Sequence, residues 1–168
     1  MRTPVQTTTL TEAGQFRDAM ALLPAALTVV TTVDGLGRRW GFTASSVTPV
    51  SLGPPLLMVG VGRTSSCHGA LVSAPEFVVN VLGEQHRDLA AKFAAHGVDR
   101  FAGEEFTPWP GTDGLPVLPD AQAAYRCLRH EVVPAGDHDL LLGALAGVRA
   151  GHRDGPLLWY RRAFHTLR

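Results

Sequence analysis

The chain has 168 residues and 17.9 kDa, with 45% hydrophobic and 18% charged residues. Such a composition supports one packed core and excludes a highly charged disordered chain. Fifteen basic residues balance fifteen acidic ones, so the basic excess that nucleic acid or an anionic membrane demands is absent.

The polar stretch from Met1 to Thr9 lacks the apolar segment of a signal peptide. No apolar run approaches the roughly 18–20 residues of a membrane span. The chain is therefore expected to be cytoplasmic, one domain over residues 1–168, with residues 1–10 flexible. Thr9 and Glu12 have the spacing of a capping box. Ala13, Phe16, Met20 and Leu23 follow at helical spacing until Pro24, which predicts a first helix.

The period then changes. Leu27 to Val33 is apolar and β-branched, Asp34-Gly35-Leu36-Gly37 reads as a turn, and Arg38 to Thr43 returns as a second strand of a hairpin. Val47 to Val50, Leu56 to Val61 and Glu76 to Leu82 predict further strands, with a short helix from Thr64 to Ser73 between the last two. His86 to Ala95 predicts a helix stopped at Gly97. Gly103 to Asp120 carries four prolines from Pro108 to Pro119 and reads as a loop. Ala121 to Val133, Leu140 to Val148 and Leu157 to Tyr160 predict the last strands. Strands outnumber helices and do not alternate with them. The fold class is mainly β, a single barrel with a few added helices rather than a doubly wound parallel sheet.

Cys67 and Cys127 form no CxxC pair or Cys/His cluster, and the seven histidines show no ligand spacing, so neither a disulfide framework nor a metal site is expected. There is no GxGxxG, GxxxxGK[ST], HExxH or GxSxG. Fourteen of the fifteen basic residues are arginine, which reads mainly as a compositional bias, although arginine also suits phosphate.

Small polar residues remain as candidates. Thr43-Ala44-Ser45-Ser46 places hydroxyls and little bulk at a strand end, where a flat polar ligand can approach the backbone; alone it reads as readily as a Ser/Thr-rich turn. Arg63-Thr64-Ser65-Ser66 opens a helix with a guanidinium and hydroxyls, the chemistry of a phosphate site or of ordinary capping. His138 lies between Asp137 and Asp139, which can orient an imidazole or simply form a polar turn. Asn80, inside an apolar strand, needs either a buried partner or a ligand. Glu104-Glu105 reads as a solvated loop.

Four passages together resemble the short-chain flavin reductases, the reductase components of two-component flavin-dependent monooxygenases. They are Gly41-Phe42-Thr43-Ala44-Ser45-Ser46-Val47-Thr48-Pro49-Val50-Ser51 with Pro54-Pro55-Leu56; Phe77-Val78-Val79-Asn80-Val81-Leu82 with Leu89-Ala90 and Phe93-Ala94; Asp99-Arg100-Phe101; and Gly136-Asp137-His138 with Pro156-Leu157-Leu158-Trp159-Tyr160. The likeness runs from Phe16 to Leu167 and is greatest to actinomycete reductases that serve aromatic-polyketide hydroxylation.

The resemblance implies an FMN-binding, Greek-key-like split β-barrel working as a homodimer. It implies hydride transfer from NADH or NADPH to FMN or FAD, the reduced flavin passing to a separate monooxygenase. It places Thr43, Ala44, Ser45 and Ser46 along the isoalloxazine, and Arg63, Thr64, Ser65 and Ser66 on the phosphate. Asn80 and Arg100 join the flavin-binding set, Arg100 near the phosphate or ribityl chain. His138 becomes a nicotinamide-orienting group, with Trp159, Tyr160 and Arg162 around it; Trp159 stands where many members carry Tyr. The alternative is a flavin-holding or oxidase protein of the same barrel, such as a pyridoxamine-phosphate oxidase relative.

Overall fold

A computed structural model describes residues 12–151 and 155–167. The expected cap at Thr9 and the flexibility of residues 1–10 fall outside them. Helix α1 spans Ala13–Met20 and buries none of its side chains.

Strands β1 (Ala25–Ala26), β2 (Thr28–Val33), β3 (Arg39–Ala44), β4 (Val47–Leu52) and β5 (Pro55–Gly62) follow. Helix α2 (His68–Ser73) and strand β6 (Glu76–Val81) come next, then a 3₁₀ turn at Glu84–His86 leading into α3 (Arg87–Ala94). The remaining strands are β7 (Thr107–Pro108), β8 (Pro116–Val117), β9 (Ala123–Ala135), β10 (His138–Ala150), β11 (Leu157–Tyr160) and β12 (Ala163–Thr166).

The main sheet is antiparallel throughout, in the order β3-β2-β6-β9-β10-β5-β4. Its two edge strands, β3 and β4, are consecutive in the chain and joined only by Ser45 and Ser46. A seven-stranded sheet can meet that condition only by curling until its first and last strands come together at this corner. The Gly60 N–H donates to Ser46 O at 2.9 Å and ties the corner to β5.

Both faces of the central strands are covered, which explains why they read as continuous apolar runs rather than alternating ones. Val30, Val59, Val61, Phe77, Val79, Cys127 and Leu141 fill the concave side. On the other side, Val29 of β2 packs under α3 with Ala90 and Phe93, and Val78 of β6 lies under Trp109, Leu115 and Val117. The segment expected to be a loop thus carries β7 and β8 and closes one face of the sheet.

Asn80 is the buried polar exception on β6. Its amide donates to Val29 O at 2.9 Å and Thr31 Oγ1 at 3.3 Å, and its oxygen accepts Leu118 N–H at 2.9 Å.

A second sheet, β1-β11-β12, packs at the end of β2 and β6. Three backbone bonds lock the junction: Leu27 N–H to Leu157 O, Leu157 N–H to Leu82 O and Leu82 N–H to Leu27 O, at 2.9–3.0 Å. β12 was not expected from the sequence. Its hairpin turns on Arg161 and Arg162, whose φ angles are 49° and 60°; turns of that conformation ordinarily announce themselves by Asn or Gly.

Candidate active site

The corner where β3 meets β4 opens beside the C-terminal half of α3, and two adjoining chambers lie there. The first, about 330 Å³, is lined by Phe42 and Thr43 of β3, by Gly62, Thr64, Ser65 and Ser66 at and after the end of β5, by Phe93, Ala94 and His96, and by Arg100, Asp137 and His138. The second, about 190 Å³, shares Thr43 and Ala94 and is walled by Leu27, Ser45, Ala90, Trp159 and Phe164. One end is therefore polar and the other apolar and aromatic, as expected of a pocket that orients a ligand with few polar groups.

Backbone geometry brings these walls together. The Thr43 hydroxyl donates to Ala90 O at 2.7 Å and clamps β3 to α3. Trp159 and Phe164 are a cross-strand pair of β11 and β12, their rings edge-to-face with centroids 5.2 Å apart. Gly41 lets α3 approach: a Cβ there would sit 2.9 Å from Phe93 Cε1 and 3.0 Å from Val30 O.

The register of β5 with β10 pairs Gly62 with His138, so two segments far apart in sequence form one polar rim. Arg63 does not line either chamber. Its guanidinium turns onto Asp139, with Nε 3.2 Å and Nη2 2.7 Å from Oδ1, while His68 Nε2 lies 2.7 Å from Oδ2. These contacts, Arg63 first, hold the Asp139 carboxyl below its ordinary range.

The cation on the chamber wall is Arg100. Its Nη2 donates to Ala95 O at 2.7 Å and its Nη1 to Gly41 O at 2.9 Å, with Ser66 Oγ 3.5 Å from Nη1. Among the described residues it forms no ion pair with a carboxylate, so its charge is held in place by carbonyl dipoles and left for an anion.

His138 Nδ1 lies 2.8 Å from Asp137 Oδ1, a contact that holds the Asp137 carboxyl below its ordinary range. An ionised carboxylate can only accept, so Nδ1 carries the proton of this contact and Nε2 is the ring nitrogen left for a ligand. The ring lies against Gly62, where a Cβ would be 3.5 Å from Nε2.

Of the residues singled out from sequence, the chambers bring together Thr43, Ser45, Thr64, Ser65, Ser66, Arg100, His138 and Trp159. The remaining ones lie elsewhere. Ala44 is in the inner core, and the Ser46 hydroxyl donates to Gly60 O at 3.1 Å. Asn80 is fully buried with its amide satisfied within the core, which takes it out of the ligand-binding set. Tyr160 alternates to the face opposite Trp159 and meets His165, and Arg162 pairs with Asp18 of α1.

Phe93, Ala94, His96 and Phe164 were not anticipated as site residues. The pair Phe93-Ala94 was visible as a helix face, but nothing local in sequence marks Phe164. Among the described residues no group of three or more His, Cys, Asp or Glu could hold a metal ion, and no helix is long and apolar enough to cross a membrane.

Known proteins give this geometry a context. The family described as flavin reductase like domain matches residues 20–168. The NADH:riboflavin 5′-phosphate oxidoreductase of Streptomyces pristinaespiralis is 58% identical over 152 residues, covering 90% of this chain and 86% of the relative. The actinorhodin polyketide dimerase of Streptomyces coelicolor is 42% identical, covering 93% of this chain and 87% of the relative. Among solved structures, a Streptomyces globisporus NADH:FAD oxidoreductase in complex with NAD and FAD fragments superposes with a TM-score of 0.86 at 29% identity, covering 96% of this chain and 98% of that one. By the match over most of its length and the identity to these relatives, the chain belongs to the flavin reductase like domain family.

Proposed function

We propose that this protein is a cytoplasmic, NADH-dependent flavin reductase that reduces FMN or FAD and releases the reduced flavin to a separate monooxygenase. The observation that carries the reading is Arg100, a guanidinium without a carboxylate partner, at the polar end of a chamber whose other end is closed by Leu27, Trp159 and Phe164. A flavin phosphate has the charge that Arg100 lacks a partner for, and a tricyclic ring suits the apolar end.

When bound, the flavin supplies a hydride-accepting ring: NADH loses a hydride and becomes NAD⁺, and the flavin gains that hydride and a solvent proton. The protein's own groups position and shield. Thr64, Ser65, Ser66 and Arg100 bind the phosphate end. Trp159 and Phe164 exclude water from one side of the ring. Ser45 offers its hydroxyl at the β3–β4 corner, where a donor stabilises negative charge on a reduced ring. His138, with its orientation set by Asp137, presents Nε2 to the nicotinamide carboxamide. Hydride transfer needs no general base from the protein, and positioning by these walls does the rest.

The whole chain acts as one unit, a split β-barrel in the sense that the curled sheet is joined at the Ser45–Ser46 corner. A homodimer is supported by Val50 and Leu52 of edge strand β4, which are 52% and 96% exposed; apolar side chains on an open edge call for a partner. The similarity to a Streptomyces coelicolor protein named actinorhodin polyketide dimerase supports a role beside polyketide tailoring.

The test follows absorbance at about 340 nm, where reduced nicotinamide absorbs, with NADH or NADPH and with or without added FMN or FAD. The expected result is oxidation of NADH that appears only with added flavin and saturates in it. Absence of oxidation with every nicotinamide–flavin pair would overturn the reading, and a retained yellow chromophore without NADH consumption would make the protein a flavin holder.

A further inference from the structure

Among the described residues Asp139 is the only buried carboxylate, 8% exposed, and the proposed chemistry gives it no task. An ionised group is taken out of water at a cost that its partners must offset. It follows His138 on β10 but lines neither chamber, because successive side chains of a strand point to opposite faces.

Its two oxygens are divided between the ends of one short segment. Oδ1 accepts from Arg63 Nε at 3.2 Å and Nη2 at 2.7 Å, and Oδ2 lies 2.7 Å from His68 Nε2. β5 ends at Gly62 and α2 begins at His68, so residues 63–67 belong to neither element. They carry Thr64, Ser65 and Ser66, the hydroxyls of the polar chamber. Within the segment, Ser65 N–H donates to Gly62 O and His68 N–H to Ser65 O, both at 3.0 Å, and Cys67 N–H to Ser65 Oγ at 3.3 Å. These bonds curl the segment without fixing where it stands. Its near end is tied to the β9–β10 turn by the Arg63 N–H, which donates to Asp137 O at 3.0 Å. At the far end the tie to β10 is the His68 imidazole.

Arg100 is anchored separately, on Ala95 O and Gly41 O. Cys67 Sγ reaches the same Gly41 O at 3.1 Å, a weak thiol contact, and Ser66 Oγ lies 3.5 Å from Arg100 Nη1. Hydroxyls and guanidinium can therefore converge on one anion only while the segment keeps its distance from Arg100. A displacement of about 1 Å takes a donor out of hydrogen-bond range.

We infer that Asp139 is a positioning residue for the flavin phosphate: by clasping Arg63 and His68 it holds the hydroxyls of residues 64–66 where a phosphate can accept from them and from Arg100 together. The inference rests on the flavin-reductase reading above. Asp139 touches no ligand and exchanges no proton; it sets where the donors stand. A role confined to satisfying its own charge would alter stability and leave the discrimination between phosphorylated and unphosphorylated flavin unchanged.

Fluorescence titrations of the full chain with FMN and with riboflavin, which lacks the phosphate, measure that discrimination. Asp139→Ala is expected to weaken FMN about tenfold and to leave riboflavin within about twofold. Asp139→Asn keeps the shape and an acceptor for Arg63 but not the charge, so FMN should weaken about threefold. The double variant Arg63→Ala/Asp139→Ala removes the guanidinium that the first variant sets free, and should show the same tenfold loss. Equal losses of FMN and riboflavin, or lowered thermal stability with both affinities unchanged, would overturn the inference. So would tighter FMN binding by Asp139→Ala, since the carboxylate would then be holding Arg63 away from the phosphate. If Asp139→Ala does not fold, the ratio of FMN to riboflavin affinity in Asp139→Asn decides by the same criteria. Failure of the underlying reading looks different: the natural chain would bind neither flavin.

Discussion

Replacing Arg100 by alanine removes a guanidinium that makes three backbone bonds, two to Ala95 O at 2.7 and 3.3 Å and one to Gly41 O at 2.9 Å, and leaves the chamber wall without its unpaired cation. A hydrogen bond to a charged group contributes about 1.5–3 kcal/mol, so FMN should bind roughly 10- to 150-fold more weakly. Riboflavin, which has the same ring and ribityl chain but no phosphate, is the control: its affinity should change by no more than about threefold. Calorimetric titration of both ligands into the natural chain and the Arg100→Ala and Arg100→Lys variants measures the difference directly. Lysine keeps the charge but not the fork that spans two carbonyls, so it should recover only part of the FMN affinity. If Arg100→Ala weakens riboflavin and FMN by the same factor, Arg100 merely supports the packing of residues 95–101, and the phosphate must be held elsewhere.

Three further outcomes follow from the same geometry. His138→Ala should raise the NADH KM more than it lowers kcat, because the ring orients a substrate and exchanges no proton; a collapse of kcat at unchanged KM in steady-state assays would refute that role. Asn80→Ala should destabilise the fold by about 2–5 kcal/mol, since it strands Leu118 N–H and Val29 O in the core; a urea-unfolding loss under about 1 kcal/mol together with weakened FMN binding would return Asn80 to the ligand site. Burial pushes the Cys127 thiol up from 9.0 to about 12, so the folded state favours the protonated form. Its contribution is therefore fully present below pH 9.0 and fades between 9.0 and about 12, with a slope of at most about 1.4 kcal/mol per pH unit. The urea midpoint of the natural chain should fall more steeply over that window than that of Cys127→Ala, and parallel curves would contradict it.

Much of the fold was legible because its signals are local. β2, β5 and β6 announce themselves as short apolar or β-branched runs bounded by Gly and Pro, and the Gly136-Asp137 turn between β9 and β10 carries the residues that its geometry requires, with Gly136 at a φ of 64°. β12 was hidden because two arginines occupy the turn before it, and with it went Phe164, half of the aromatic wall. β7 and β8 were hidden in a proline-rich stretch, since two-residue strands are made by their partners and have no period of their own.

The sequence by itself determined that strands dominate, that one core is affordable, that hydroxyls gather at the β3–β4 corner and after β5, and that the ordered set of passages is that of a flavin reductase. Those properties depend on residue type and near neighbours. Only the tertiary structure decided which of two arginines lines the chamber. Arg63 stands beside the hydroxyls in sequence, yet the pairing of Gly62 with His138 brings Asp139 alongside and neutralises it. Arg100, 37 positions later, folds back onto Ala95 and Gly41 and keeps its charge open. The same holds for Asn80, whose partners Val29, Thr31 and Leu118 reach it through strand pairing and a long connection. A charge or an amide is a site or a strut according to what distant segment lies within about 3 Å of it, and that distance is set by register, which no local pattern specifies.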